Sequence, residues 1–393
     1  MALKISEGTV QVELSTGTRT EAPLTGDRFG GSSVLSISYE ASTGSIEIVT
    51  RRGDNLTLPL AKLNEDIRPA VPVVYLDQCH WSTVANRIYN PDLVRASDAA
   101  AADSLIAMAR QGEVVLPFSS SHAIETAATY NVKRQDLAAA ILDLSQGWQM
   151  RSPIRVRKFE ISQVLAPKFG GSPDLREKNV FSILQDVMYE DRPVIDSSGL
   201  PGDVSHVHAQ LTLISAMYDV LLDPGKIDSQ KPASWAEYHN KVSRDGAYKA
   251  MSRSQKREAA IAIGVSDVIA DISEVAMRLG MRSSQAESAV AEIRENLAGM
   301  PFLGLYIDAV DERLANGSRW VPNDLVDMLY LGCAAAYADI VVAERVATTY
   351  FNSVWRKRPG SCPVVSTISE AVERLKVIPR RQIENSCRTS PSS

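Results

Sequence analysis

With 393 residues, 45% of them hydrophobic and 23% charged, the chain has the composition of a globular protein and the length of two or three domains. No apolar run reaches a membrane span, the start Met1 to Gly8 lacks the uncharged core of a signal peptide, and Cys79, Cys333, Cys362 and Cys387 form no C-x-x-C pair. These features argue against a membrane protein, a disulfide scaffold or a zinc ribbon and fit the cytoplasm, while a net charge of −5 neither favours nor excludes nucleic acid.

Residues 1–65 read as a small antiparallel β module, either a sheet or a barrel. Val10, Val12 and Leu14 alternate with polar residues, as do Leu35, Ile37 and Tyr39, then Ile46 and Ile48, then Leu56, Leu58 and Leu60. Turn signals fall at Gly26, Gly30-Gly31, Gly44 and Gly53-Asp54. From Pro69 the texture changes. Val73-Val74-Tyr75-Leu76 is a continuous apolar run, as for a strand buried on both faces. A helix is expected over about 94–110, a short strand at Glu113–Pro117, and a further helix capped by Ser119-Ser120-Ser121 and starting near His122.

Residues 136–314 read as a mainly helical insertion without a convincing strand. It is broken by loops at 169–173, 197–202 and 224–225. The α/β pattern resumes with a helix opening at Pro322-Asn323-Asp324, a strand at Ile340–Ala343, another at Pro363–Val365 and a helix from Ser369. Residues 381–393 read as a loose tail. The expected architecture is a discontinuous α/β domain, residues 66–135 and 315–380, with a central parallel sheet.

Carboxylates fall at telling places on this plan. Asp77 follows the Val73–Leu76 strand directly, and Glu344 follows the Ile340–Ala343 strand. Glu125 lies in the first turns of the helix after the Val114–Leu116 strand. Asp324 and Asp327, three residues apart at a helix start, project from one face. Carboxyl ends of parallel strands share one edge, where open α/β sheets bind ligands. Acids gathered there raise each other's pKa unless a cation neutralises them. Hard oxygen donors suit Mg²⁺ or Mn²⁺, which supply the chemistry of phosphodiester hydrolysis. Each acid also has an ordinary alternative: a turn for Asp77, a surface position for Glu125, a helix cap for Asp324 and a neighbouring ion pair for Glu344.

The segments Val73-Val-Tyr-Leu-Asp77-Gln-Cys-His-Trp81, Ser119-Ser-Ser-His-Ala-Ile-Glu125, Pro322-Asn-Asp324-Leu-Val-Asp327-Met328 and Tyr337-Ala-Asp-Ile-Val-Val-Ala-Glu344-Arg345 resemble the PIN-like nuclease family. The resemblance covers roughly residues 70–135 and 315–375. It implies a three-layer α/β/α PIN-like domain and a toxin- or defence-type endoribonuclease. It further implies that Asp77, Glu125, Asp324 and Asp327 are catalytic, and that with Glu344 they hold Mg²⁺ or Mn²⁺. The chain departs from the family pattern at Gln78-Cys79 and at Ala343-Glu344.

RNA, ahead of DNA, is the expected partner. A homodimer, or a protein partner on the β module or the insertion, stays open. His80 and His122 flank two of the acids and are candidates to orient a phosphate or a water, with packing as the alternative. Arg151, Arg155, Arg157 and Lys158 form one basic stretch, and Lys241, Arg244, Lys249, Arg253, Lys256 and Arg257 another. Either suits a solvated helix face. Arg253, Lys256 and Arg257 are carried as candidate substrate contacts. His206-Val-His208 with Asp203 has metal-ligand residue types, but a helix there turns alternate residues apart. The competing functions are a catalytically weak PIN-like binding module and another metal-dependent phosphoesterase.

Overall fold

A computed structural model describes residues 2–6, 9–13, 17, 19–23, 34–40, 42–51, 53, 55–59, 67–129, 131–195, 202–222, 233–355, 358 and 362–378. The turns expected at Gly26 and Gly30-Gly31, Asp54 of the Gly53-Asp54 turn, the loops expected at 197–202 (except Gly202) and 224–225, and the 381–393 tail lie outside the described residues. The protein is a mixed α/β structure, mostly helical, with a six-stranded antiparallel sheet, a three-stranded parallel sheet and a two-stranded antiparallel pair among the described residues. Among the described residues no helix is long and apolar enough to cross a membrane.

Six strands form the N-terminal sheet: β1 (Ala2–Ser6), β2 (Thr9–Glu13), β3 (Arg19–Pro23), β4 (Val34–Glu40), β5 (Ser45–Thr50) and β6 (Asn55–Pro59). Their order, β3-β2-β1-β4-β5-β6, makes an open antiparallel sheet. β3 had no apolar alternation to announce it, since Arg-Thr-Glu-Ala-Pro suits only a polar edge, where proline is tolerated. Ile37, Ile46 and Ile48 are fully buried and join the apolar cluster of Val207, Leu211 and Ile214 on the Gly202–Leu222 helix. The β module is therefore anchored on a helix of the insertion.

The parallel sheet is built from β7 (Val74–Leu76), β10 (Ile340–Val342) and β11 (Val364–Val365), in the order β11-β10-β7. Beyond β7 the 114–118 segment continues it, through a parallel bridge of Val73 to Val115. Pro117 has no N–H to donate, and the segment makes isolated bridges where a short strand was expected. Phe118 bridges in turn to Gln149 of β8 (Gln149–Met150), which pairs antiparallel with β9 (Phe181–Ser182). These two-residue strands correct the expectation of a strandless insertion. They are too short to carry a periodic signal.

Alternation along the strands divides the interior. Val73, Tyr75, Val341, Ala343 and Val364 face one cluster, with Phe302, Leu305, Ile263 and Phe351. Val74, Leu76, Ile340, Val342 and Val365 face the other, with Trp81, Leu105, Ile141 and Ile368. Helices from the insertion thus complete one face of the sheet. Asp339 fastens its amino edge: the Val73 N–H donates to Asp339 Oδ2 at 2.8 Å, and the Asp339 N–H donates to the Val73 carbonyl at 2.9 Å.

Candidate active site

Chain order decides where the sheet opens. From β7 the chain runs outward through residues 114–118 to β8, then returns to the other side of β7 for β10 and β11. The order reverses between β7 and β10. A crevice at the carboxyl ends of two such strands is the ligand position of open α/β sheets. Ile340, Val341 and Val342 pair in register with Val74, Tyr75 and Leu76, and the Asp77 N–H donates to the Val342 carbonyl at 2.8 Å. Asp77 and Glu344 therefore leave the two strands at one edge.

Local chemistry sets each acid. Asp77 is the N-cap of the Gln78–Tyr89 helix, with extended backbone, and its Oδ1 accepts from the Gln78 N–H at 2.8 Å. The cap occupies one oxygen and leaves the half-buried carboxylate at the strand end. Glu125 sits on the Ser120–Ala127 helix and accepts from the Ser121 hydroxyl at 2.9 Å. Gln78 Nε2 donates to Thr126 Oγ1 at 3.0 Å, which ties that helix to the Asp77 turn. Glu344 is exposed immediately before the Arg345–Trp355 helix.

Asp324 and Asp327 share a face of the Asn323–Tyr337 helix but differ in surroundings. Asp324 is buried. Its Oδ2 accepts from Arg313 Nη2 at 2.6 Å and from the Val321 N–H at 2.5 Å, so it is tied to the segment leading into the helix, whose N-cap is Pro322. Arg313 lies over the Trp320 ring, 4.4 Å from its centroid. The Asp327 carboxylate makes no hydrogen bond among the described residues. Burial, and then the charges of Asp77, Glu125, Asp324 and Glu344, push its pKa up to about 7. Four separated segments therefore bring like charges within electrostatic reach of one carboxyl group. Burial, followed by the charges of Asp327, Asp324 and Asp77, raises the Tyr350 hydroxyl against the lowering effect of Arg313.

The two histidines separate. His122 is 2% exposed and stacks on Tyr75 at 5.0 Å. Its Nδ1 accepts from the Ser119 N–H at 3.1 Å and the Leu76 carbonyl takes its other hydrogen bond, while burial lowers its pKa to about 3. Neutral and enclosed, it joins the helix start to the strand end and has no nitrogen left for a substrate. His80 also has its pKa lowered by burial, partly opposed by the Ala343 carbonyl and the Asp77 and Glu344 charges. Its buried Nε2 finds no partner among the described residues.

Arg253 and Arg257 do not meet the expectation of free substrate contacts. Arg253 forms a two-pronged pair with the buried Asp311, at 2.6 and 2.7 Å, and Arg257 pairs with Asp308 and Asp311. Opposite charges on the facing Arg253–Asp267 and Pro301–Ala315 helices bind each other in place of phosphate. Lys256 lies 5.6 Å from the Tyr248 ring centroid. The other basic stretch is paired as well. Arg151 and Arg155 are buried on Glu177, Arg157 pairs with Asp271, and Lys158 pairs with Glu274. Neither stretch is a solvated face throughout. His206 and Asp203 have side chains outside the described set.

Sequence reading missed Arg313, Gln78 and Tyr350. Only the identity of Gln78, directly after Asp77, offered a local signal. Arg313 reaches Asp324 from another helix. Among the described residues no three His, Cys, Asp or Glu side chains stand close enough to hold a metal ion as they are. Comparison with family models, curated proteins and solved structures returns no match.

Proposed function

We propose that the chain is a Mg²⁺- or Mn²⁺-dependent endonuclease, acting on RNA ahead of DNA, with the three-layer α/β/α organisation of PIN-like domains. The observation that carries this reading is the convergence of carboxylates from four segments on the switch-point edge of a parallel sheet. The donor set fits a hard, water-rich cation. Such an ion takes one or two carboxylates, keeps several waters and accepts substrate phosphate, so it needs no ready-made protein cage. When bound, it neutralises phosphoryl charge and activates water.

Asp77, Asp327 and Glu344 are the proposed inner donors, with Glu125 completing the negative field. Arg313 and the Val321 N–H position Asp324, which in turn holds the start of the helix that presents Asp327. His80 Nε2, buried without a partner among the described residues, is proposed to take a water near the charges of Asp77 and Glu344. A binding module without catalysis is the second reading, and the engagement of Asp324 with Arg313 favours it. Metal-dependent cleavage of single-stranded RNA, single-stranded DNA and mononucleotides, with Asp77→Asn as control, separates the two. Turnover that is equal with and without divalent ions, or unchanged in the variant, rules out the nuclease proposal.

A further inference from the structure

A cleft of about 700 Å³ lies between the Ala233–Arg244 helix and the 319–322 segment. Lys241 and Arg244 stand on the helix wall, three residues apart, and Arg319 on the opposite wall. All three are exposed and make no ion pair among the described residues. This sets them apart from Arg151, Arg155, Arg157, Arg253 and Arg257, which are bound to carboxylates of the same insertion.

The walls are fixed. Asn240 Nδ2 donates to the Trp320 carbonyl at 2.8 Å and its Oδ1 accepts from the Trp320 N–H at 3.0 Å. Asp245, also on the lining, is occupied with the Ala247 and Tyr248 N–H groups, at 2.8 and 3.0 Å. Asp245 keeps its charge, and Glu237, one helical turn before Lys241, is the second carboxylate of the lining, so three cations stand against two acids. The cleft also adjoins the acidic edge. Val321 and Pro322 line it, the Val321 N–H holds Asp324, and Arg313 Nη2 donates both to the Arg319 carbonyl and to Asp324.

We propose that this cleft is a phosphate subsite that holds the backbone of a single nucleic-acid strand as it enters the carboxylate edge. Cations without carboxylate partners are what polyanion binding uses, because phosphate contacts release condensed counterions. A concavity of this volume is of the size that takes a small ligand such as one nucleotide. The acidic edge repels a strand on its own, so cations nearby are needed to bring phosphates to it. The inference deepens the nuclease reading and rests on it for the identity of the ligand.

The test is metal-free binding of a labelled single-stranded RNA 12-mer to the full chain, titrated at several salt concentrations. Lys241→Ala, Arg244→Ala and Arg319→Ala together should weaken binding uniformly across sequences and reduce the salt slope by about 2. Glu237→Gln, which removes one opposing charge, should tighten binding, and unchanged melting curves identify folded variants. An unaltered slope in the folded triple variant overturns the subsite. Full competition by millimolar inorganic phosphate, or equal competition by a duplex, overturns the single-strand ligand. Since no cleavage is read, a catalytically silent wild type with an intact salt effect removes the nuclease reading and leaves the subsite standing.

Discussion

The carboxylate edge and the helical insertion use charge in opposite ways. In the insertion, buried charges meet their opposites: Glu177 receives Arg151 at 2.7 Å and Arg155 at 2.6 Å, and Asp311 receives Arg253. Buried Glu160 has no such pair among the described residues; it caps the Pro301–Ala315 helix by accepting from the Phe302 and Leu303 N–H groups at 2.7 and 2.9 Å, and it also accepts from the Tyr337 hydroxyl at 2.5 Å. At the edge, Asp327 has neither a paired cation nor a hydrogen-bond donor among the described residues and feels the charges of four further carboxylates. Buried charge is costly unless paired, so the first arrangement serves the fold. The second works against the stability of the metal-free protein, a cost that the proposed cation would relieve.

The largest effect expected at the edge is on chemistry. Asp77→Asn should lower cleavage by more than about 100-fold, the upper range for loss of mere supporting contacts to a metal, while melting stays near wild type. Asparagine caps a helix as well as aspartate does, so the Gln78–Tyr89 helix keeps its start. A collapse of the melting temperature would instead make Asp77 structural.

In the insertion the corresponding substitution acts on stability. Asp311→Ala leaves Arg253 without its partner beside a packed helix pair, and loss of one member of a buried pair costs about 3–5 kcal/mol. Arg253 is itself substantially exposed, so the observed loss belongs at or below the lower end of that range. Denaturant titration reads it, and turnover per folded molecule should be unchanged.

Asp327→Asn sharpens the contrast because its sign is reversed. Asp327 has its folded pKa raised from 3.8 to about 7, so the folded state retains a proton that the unfolded state gives up. Its stabilising contribution is complete below pH 4 and is lost as pH rises to about 7. The metal-free variant should therefore melt above wild type at pH 8, by on the order of a few kcal/mol, and converge with it near pH 4. Activity should fall in parallel. A variant that melts lower at pH 8 would show that the carboxylate is compensated.

Divalent ions extend the same argument. Mn²⁺ or Mg²⁺ should raise the wild-type melting temperature more at pH 8 than at pH 5.5, since ligand carboxylates must be ionised. Asp327→Asn should blunt the rise. The smallest effect is expected from Arg253→Ala, Lys256→Ala and Arg257→Ala combined. Their salt slope for RNA should match wild type, because the two arginines are already neutralised by Asp308 and Asp311. A flattened slope would return these residues to the substrate path.

Sequence patterns carry farthest where the signal is local. Apolar continuity marked β7 and β10, and the Asp77 and Glu344 positions followed from those strand ends. Helix chemistry likewise located the Asp324 and Asp327 turn. The two basic stretches show where local reading fails. Arg155 and Arg253 look alike along the chain as solvated cations, yet both are bound to acids 22 and 58 residues away.

By itself the sequence determined the strand–helix alternation, the two-faced burial of the central strands and the carboxylates at their ends. These depend on side-chain period and on groups adjacent in the chain. The tertiary structure alone decided which charges are neutralised: Asp324 by Arg313, Arg253 by Asp311, and Asp327 by no cation among the described residues. It alone left Lys241, Arg244 and Arg319 facing a cleft. Electrostatic energy depends on separation and burial in space, and neither is written in residue order.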